Sequence, residues 1–347
     1  MARLGVNRDD LQAAWDRVVN SGFFTEGYYV KALEEAVSEW SGLNAIAVNS
    51  AGSGLYTMLR CKLGRRRQMA VPNNTFYATG AMAREAGHEV ILVDCNRHDF
   101  SMSLESLLLK HGAFDAVILT HVGGGLATDL VRIAHLCQQR GIPLFEDAAH
   151  AFGVKRQGKT AGAFSEAAVF SLYPTKAIPA GEGGIIVTHN AAYAEEMREF
   201  RNYGKYWEGA VLKHRWSGFN FRMDEWTAAV AYLQMQRLDE ILELREASAA
   251  KLRKVIAPLV TWPAGETNWY KYIVRRAEAE VLGLKRFSGQ VYAKSDQLAT
   301  ALNIPKPSDT PSCDWVSANH VCLPLDEGQY LDMSQDQILA YLRGDDA

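Results

Sequence analysis

No run of about 18 consecutive apolar residues occurs in this 347-residue chain, so no segment reads as a membrane-spanning helix. Nor is there a basic excess: 37 Lys and Arg stand against 40 Asp and Glu, a formal net charge of -3. That balance removes the electrostatic case for nucleic-acid binding and for a polybasic membrane anchor. Cysteine is scarce. Cys61, Cys95, Cys137, Cys313 and Cys322 are odd in number, widely spaced and form no C-x-x-C pair, which argues against a disulfide framework. Cys313, His320 and Cys322 lie close together, but zinc would need a fourth ligand and tighter spacing, so no metal is expected. The opening MARLGVNRDDLQ lacks the apolar stretch of a signal peptide. The expectation is a reduced, cytoplasmic protein with neither nucleic acid nor membrane as partner.

What is present is an ordinary globular composition, 48% hydrophobic and 22% charged, long enough for two domains at roughly 150 residues each. Two amphipathic stretches, Asp9–Val19 and Tyr29–Trp40, read as helices. Short apolar runs then alternate with amphipathic ones. Strands are expected at 45–48, 69–71, 90–93, 116–120 and 143–145, with helices at 54–63, 77–86, 104–109 and 129–140 between them. That βαβ rhythm predicts a mostly parallel sheet covered on both faces. The rhythm breaks after Ala167, where strands 167–172 and 184–188 are joined by a Pro- and Gly-rich loop, a locally antiparallel piece. From Asp224 one long helical pattern runs to about Leu259 and is ended by Pro263. Beyond it come an alternating run, Trp269–Val274, some helix near Lys294–Leu302 and a terminal helix near Asp336–Leu342. The expected plan is α/β: a large domain over 20–240 and a smaller α+β domain over 241–347, with 1–19 packing on the latter.

Ligands in open α/β sheets sit beyond the carboxyl ends of the strands, so the loops there are the place to look. The first is Ile142-Pro-Leu-Phe-Glu-Asp147-Ala-Ala-His150. An apolar strand ends in two acids, with a His three residues on. Asp147 reads equally as a metal ligand with His150, as a helix cap, or as a buried carboxylate holding a cationic heterocycle. The second is Ser171-Leu-Tyr-Pro-Thr-Lys176-Ala-Ile-Pro-Ala-Gly181-Glu-Gly-Gly184. Most lysines are solvated surface charges. Lys176, however, sits on a tight turn between two apolar strands. Partial desolvation there would lower its pKa and free a lone pair for attack on a carbonyl. The third is Asn49-Ser-Ala-Gly52-Ser53-Gly54, a strand-to-helix turn whose free amides suit an anion, though it matches neither phosphate-loop signature.

Together these pieces answer one chemical problem. Pyridoxal phosphate needs a lysine for its aldehyde, a carboxylate for its ring nitrogen, a phosphate cradle and a flat group against its ring. Lys176, Asp147, Gly52–Gly54 with Ser171, and Phe76 or Tyr77 would serve.

The chain resembles the DegT/StrS-type sugar aminotransferases, fold-type I pyridoxal-phosphate enzymes, over roughly 20–240. The matching stretches, in order, are Phe24-Thr-Glu-Gly27, Gly52-Ser53, Val71-Pro-Asn-Asn-Thr-Phe76, Glu146-Asp-Ala-Ala-His-Ala151, Ser171-Leu-Tyr-Pro-Thr-Lys176, Gly181-Glu-Gly-Gly184, Arg201-Asn-Tyr-Gly204 and Gly218-Phe-Asn-Phe-Arg-Met223. The resemblance implies that Lys176 is the Schiff-base lysine and proton carrier, and that Asp147 pairs with the ring nitrogen. It places His150, Gln in many relatives, at the cofactor's ring hydroxyl, and Phe76 on the ring face. Gly52, Ser53 and Ser171 would bind the phosphate. Asn220 would be donated to that phosphate by a second subunit, which makes the expected assembly a homodimer. Substrates would be an amino-acid donor, L-glutamate or L-glutamine, and a keto sugar, keto-cyclitol or related intermediate, nucleotide-linked or free.

The sequence also departs from the family. His121 is followed by Val122-Gly-Gly-Gly125 where relatives often carry an aromatic and a Pro, a loop expected to be roomier and more mobile. The C-terminal part lacks the usual R-G-I-x-x-x-x-H-Y segment and offers Phe287-Ser-Gly-Gln-Val-Tyr292 and Leu302-Asn-Ile-Pro305. That leaves open a small keto acid or amino acid as substrate, or a non-catalytic sensor on the same scaffold. Dehydrating relatives carry His where this chain has Lys176. A metal hydrolase on Glu146, Asp147 and His150 lacks further ligands at suitable spacing.

Overall fold

The computed structural model describes residues 5–64, 67–215, 217–257, 261–262, 266–292 and 296–345. Seven strands, β1 (Asn44–Val48), β2 (Gln68–Pro72), β3 (Glu89–Val93), β4 (Ala116–Thr120), β5 (Leu144–Asp147), β6 (Ala167–Ser171) and β7 (Gly184–Thr188), form one sheet. Its order is β1-β7-β6-β5-β4-β2-β3. β7 runs against both neighbours; the other recorded pairings are parallel. The central strands are apolar on both faces and fully buried, the pattern of a sheet covered by helices on both sides. Two apolar clusters fill those faces, one including Leu33, Val37, Phe170 and Ile185, the other Leu55, Met58, Phe145 and Val169.

The helices start where the sequence supplies an acceptor for their orphan amides. Asn7, Ser50, Ser103, Asn190, Asp224 and Ser334 each take a backbone N–H with the side chain, a contribution of about 1 kcal/mol apiece. Helix Tyr28–Ser41 is capped from a distance. The carboxylate of buried Glu225 accepts from the N–H groups of Gly27 (2.9 Å), Tyr29 (2.7 Å) and Val30 (3.0 Å). Replacing Glu225 by Ala leaves three amides without that acceptor at the positive end of a helix. We expect a stability loss of about 3 kcal/mol in urea titrations, and a loss below about 1 kcal/mol would remove the cap from the account.

Two expectations change. The single long helix from Asp224 is two, Glu225–Met235 and Leu238–Ile256, broken at Gln236-Arg237; its expected end near Leu259 and Pro263 lies outside the described residues. The second helix spans two apolar clusters: Leu238 packs with Leu33 and Phe170, and Leu252 and Ile256 belong to a cluster with Tyr272 and Val321. Helix Arg8–Ser21 packs on the large domain instead of the small one. Ala14 and Val18 enter its core, and Trp15 meets Trp226 edge-on. The apolar stripe of that helix matches the apolar helix Glu225–Met235.

A hairpin, β8 (Lys205–Glu208) and β9 (Val211–His214), follows the large domain's helix Ala191–Phe200. The small domain is built on a three-stranded antiparallel sheet, β10 (Thr261–Trp262), β11 (Tyr272–Arg275) and β12 (His320–Leu323), with β11 central. Helix Asp296–Ala301 realises the expectation near 294–302, of which Lys294 is outside the described residues. No helix among the described residues is long and apolar enough to cross a membrane.

Candidate active site

The carboxyl ends of β1, β2, β4, β5 and β6 open on a cavity of about 420 Å³. Its wall includes Gly52, Phe76, Asp147, His150, Ser171 and Lys176, so six of the nine residues singled out from sequence converge on it. Ser53, Gly54 and Asn220 do not. Ser53 belongs to a capping box with Ser50, its hydroxyl donating to Asn49 Oδ1 (2.6 Å). Gly54 faces the sheet: a Cβ there would stand 2.6 Å from Val169 Cγ2, and its amide is spent on the Ser50 carbonyl. Helical rotation carries these two residues away from the cavity, and Ser50 and Ala51 join Gly52 in the wall. Gly184 makes this helix start possible, since any Cβ there would meet the Ala51 nitrogen at 2.7 Å. Asn220 is exposed, its carbonyl accepting from Asn49 Nδ2 (3.4 Å).

Asp147, at the end of β5, is 4% exposed. Its Oδ2 accepts from Thr79 Oγ1 at 2.6 Å and its Oδ1 from the Ala149 N–H at 3.1 Å. Thr79 in turn lies in a chain of hydroxyls, 2.8 Å from Thr75, which is 2.9 Å from Thr120. Neighbouring Glu146 points to the other face of the sheet, as strand alternation requires. There it accepts from His121 Nε2 (2.7 Å), the Gly162 N–H (2.8 Å) and Ser165 Oγ (2.6 Å). A metal centre on Glu146, Asp147 and His150 is therefore not assembled. The His320 ring is likewise committed, accepting from the Val291 N–H at 3.0 Å. Among the described residues the group with metal-like spacing is Asp94, Cys95 and Cys313, where both Asp94 oxygens already cap helix Pro311–Asn319.

Lys176 donates from Nζ to Tyr270 Oη at 3.2 Å and lies 4.4 Å from that ring's centroid. Burial lowers its pKa to about 8, with the Asp147 charge pulling the other way. His150 Nδ1 accepts from the Gly123 N–H (3.4 Å), which leaves Nε2 to carry the proton. Burial, then the charges of Lys176 and Lys271, push its pKa well below the usual value, so the ring is neutral and offers one N–H. Its ring packs against Tyr270 and stacks with Tyr292, at centroid distances of 4.4 and 5.7 Å. Phe76 lines the cavity and is 62% exposed, so its ring keeps a free face. Ser171 Oγ accepts from the Tyr173 N–H (3.3 Å) and stands on the wall with the helix start at Ser50–Gly52.

The donor set fits pyridoxal phosphate. A desolvated amine, a buried carboxylate, a neutral N–H donor, a free aromatic face and a helix N-terminus with a hydroxyl share one cavity.

Sequence reasoning missed Thr79, Tyr270 and Lys271. Thr75 and Thr79, one helical turn apart behind an apolar strand, were a usable signal for the first. The second and third arrive from the small domain through the glycine loop. The Lys271 and Asn268 N–H groups donate to the Gly123 and Gly124 carbonyls, each at 3.0 Å. Buried Asn268 donates to the carbonyls of His150 and Phe152, each at 2.8 Å. The loop expected to be roomy and mobile is instead filled by 267–271. Gly124 has φ +113°, and a Cβ there would stand 2.2 Å from Asn268 Oδ1. Gly124→Ala should displace Tyr270 and Lys271, costing about 2–4 kcal/mol of stability and at least tenfold in turnover. Thermal unfolding and single-turnover rates check this; wild-type values in both would refute the close approach.

By its fold and its family match the chain is a pyridoxal-phosphate-dependent aminotransferase of fold type I. More narrowly, the chain belongs to the DegT/DnrJ/EryC1/StrS aminotransferase family, whose model matches residues 6–339. A DegT DnrJ EryC1 StrS aminotransferase from Brucella abortus is 26% identical and superposes with a TM-score of 0.85, over 97% of this chain and 95% of that one. DesV from S. venezuelae is also 26% identical, with a TM-score of 0.85 over 97% and 94% of the two chains. A "Pleiotropic regulatory protein" of Geobacillus stearothermophilus is 28% identical, over 86% of this chain and 81% of that protein.

Proposed function

We propose that the enzyme moves an amino group from L-glutamate or L-glutamine to the keto group of a sugar, cyclitol or related biosynthetic intermediate. The observation that carries this reading is the shared cavity of Lys176 and Asp147, one a desolvated amine and the other a buried carboxylate. Pyridoxal phosphate, when bound, supplies the electron sink for a carbanion at the substrate carbon. The chain's residues supply the rest. Lys176 would hold the aldehyde and carry a proton to and from the substrate carbon. Asp147 would keep a positive charge on the ring nitrogen. His150 would offer its Nε2–H to the ring oxygen, Phe76 a face for the ring, and Ser171 with Ser50–Gly52 donors for the phosphate. Lys176 itself favours transamination over dehydration.

The purified protein should be yellow, lose its visible band on borohydride with the label on Lys176, and shift to the pyridoxamine spectrum with L-glutamate as 2-oxoglutarate appears. No shift with any amino acid would overturn the transaminase reading. A donor and keto-acceptor screen then names the substrates. A regulatory protein retaining the fold is the second reading, favoured by the name of the Geobacillus stearothermophilus relative. Steady turnover in that screen decides against regulation as the sole role, and Gln290, Val291 and Tyr292 in the cavity wall make small keto acids worth including.

The homodimer reading rests on exposed Asn220 and on the exposed aromatic and apolar residues Tyr203, Trp207, Val211 and Phe219 of its loop and the neighbouring hairpin. If Asn220 serves a partner's site, Lys176→Ala and Asn220→Asp enzymes, each inactive, should regain about a quarter of wild-type activity when unfolded and refolded together, because mixed dimers hold one intact site. No recovery, with mixed dimers confirmed, would place Asn220 outside the partner's site.

A further inference from the structure

Lys271 has no part in the cofactor arrangement above, yet it stands in the wall of the same cavity. It also lines a second, outer cavity of about 780 Å³, together with Thr175 and Tyr270, so these three residues are common to both walls. Besides Lys271, the charged and histidine side chains lining the two cavities are Lys176, Asp147, Glu182, His121 and His150 on the inner side, and Arg245, Asp326, Glu327 and Asp332 on the outer. Arg245 is taken: it pairs with Asp326 at 3.6 Å and donates to the Trp269 carbonyl at 3.2 Å. Lys176 is bonded to Tyr270 Oη. The Lys271 ammonium has no hydrogen-bond or ion-pair partner among the described residues; its recorded contact is the Tyr270 ring, 5.1 Å from the centroid. Lys176 and Lys271 thus flank one aromatic ring.

The position is held, not loose. The Lys271 N–H is fixed to the Gly123 carbonyl, and Asn268 Oδ1 accepts from the Tyr270 N–H at 2.9 Å. A half-buried lysine whose backbone is fixed at a cavity wall and whose ammonium pairs with none of the nearby carboxylates is an incomplete pair. An amino-acid donor completes it. Its amine must reach Lys176, and its carboxylate would otherwise enter a cavity whose wall already carries the Asp147 and Glu182 carboxylates.

We infer that Lys271 is a specificity-determining residue that binds a carboxylate of the amino donor. The inference rests on the aminotransferase reading, and two carboxylates could be its ligand, the α-carboxylate or the side-chain carboxylate of glutamate.

The test uses holoenzyme, wild type against Lys271→Met and Lys271→Arg. Glutarate, a dicarboxylate that cannot react, is titrated by calorimetry. L-Glutamate and L-glutamine are followed in the half-reaction by the cofactor spectrum. Lys271→Met should weaken glutarate about tenfold or more and raise the glutamate KM similarly with kcat within about threefold, and Lys271→Arg should restore most of both. An equal loss with L-glutamine assigns the α-carboxylate; an unaffected L-glutamine assigns the side-chain carboxylate. Undetectable glutarate binding in wild type, equal affinity in Lys271→Met, or a fall in kcat at unchanged KM overturns the inference. If no amino acid shifts the wild-type spectrum while glutarate still separates wild type from Lys271→Met, the donor reading fails and the carboxylate site stands.

Discussion

Lys176→Ala enzyme should lose about 10³-fold or more in kcat while keeping its melting temperature within a few degrees of wild type. The side chain's recorded contacts are the hydrogen bond to Tyr270 Oη and the approach to that ring, so its removal leaves a small gap beside solvent-reaching space and no buried partner without water. The chemistry loses far more. The amine that would hold the aldehyde and carry the proton is gone. Lys176→Arg keeps the charge but not the lone pair, because guanidinium does not deprotonate in this range, and should be as inactive. Exogenous methylamine should restore part of the rate to Lys176→Ala and none to Lys176→Arg, whose side chain fills the space. An Ala variant within tenfold of wild type would sink the assignment of this lysine.

The same side chain fixes a pH dependence. A lysine in water is protonated up to about pH 10.4. Lys176, lowered to about 8 by burial, is neutral in about one molecule in ten at pH 7. The neutral amine is the nucleophile, so the sign follows: capture of pyridoxal phosphate by apoenzyme should rise about tenfold per pH unit up to roughly pH 8 and level off above it. Stopped-flow mixing at constant ionic strength reads this directly, and a rate still climbing steeply through pH 10 would mean an ordinary solvated lysine.

The strands were legible because a sheet buried on both faces forces continuous apolar segments such as Ala-Val-Ile-Leu-Thr at 116–120, too short for a buried helix. The helix Ala51–Leu63 begins three residues before the expected start at Gly54: Gly52 and Gly54 have low helix propensity, but the capping box on Ser50 and close packing on Val169 outweigh it. The small domain was poorly legible. Its β11–β12 pair joins residues nearly fifty positions apart, and its helix Pro311–Asn319 is capped by Asp94 from the other domain. The site divides the same way. Lys176, Asp147, His150 and Ser171 sit on local strand-end motifs, whereas Thr79 reaches Asp147 across 68 residues and Tyr270 reaches Lys176 across 94. Local spacing carries no record of such pairs.

Asp147→Asn should retain the fold and lose about 10³-fold in the half-reaction with L-glutamate. The amide is isosteric and can keep both hydrogen bonds: Oδ1 still accepts the Ala149 N–H, while Nδ2 donates to Thr79 Oγ1, whose own proton turns to Thr75. Melting temperature should therefore move by only a few degrees. What disappears is the negative charge, buried at 4% exposure at the strand end. In so dry a place water cannot substitute for it, and a neutral amide gives a heterocyclic nitrogen no reason to keep its proton. Thr79→Val separates charge from orientation: the carboxylate stays but loses its 2.6 Å donor, and the cost should be nearer tenfold. The competing view makes Asp147 a turn residue whose job is to hold the Ala149 amide. It expects Asp147→Asn to be silent in kinetics and Asp147→Ala to act on stability alone. Rapid-mixing rates and calorimetric melting of the three variants distinguish the two, and an Asn variant within threefold of wild type would leave the buried carboxylate a structural group.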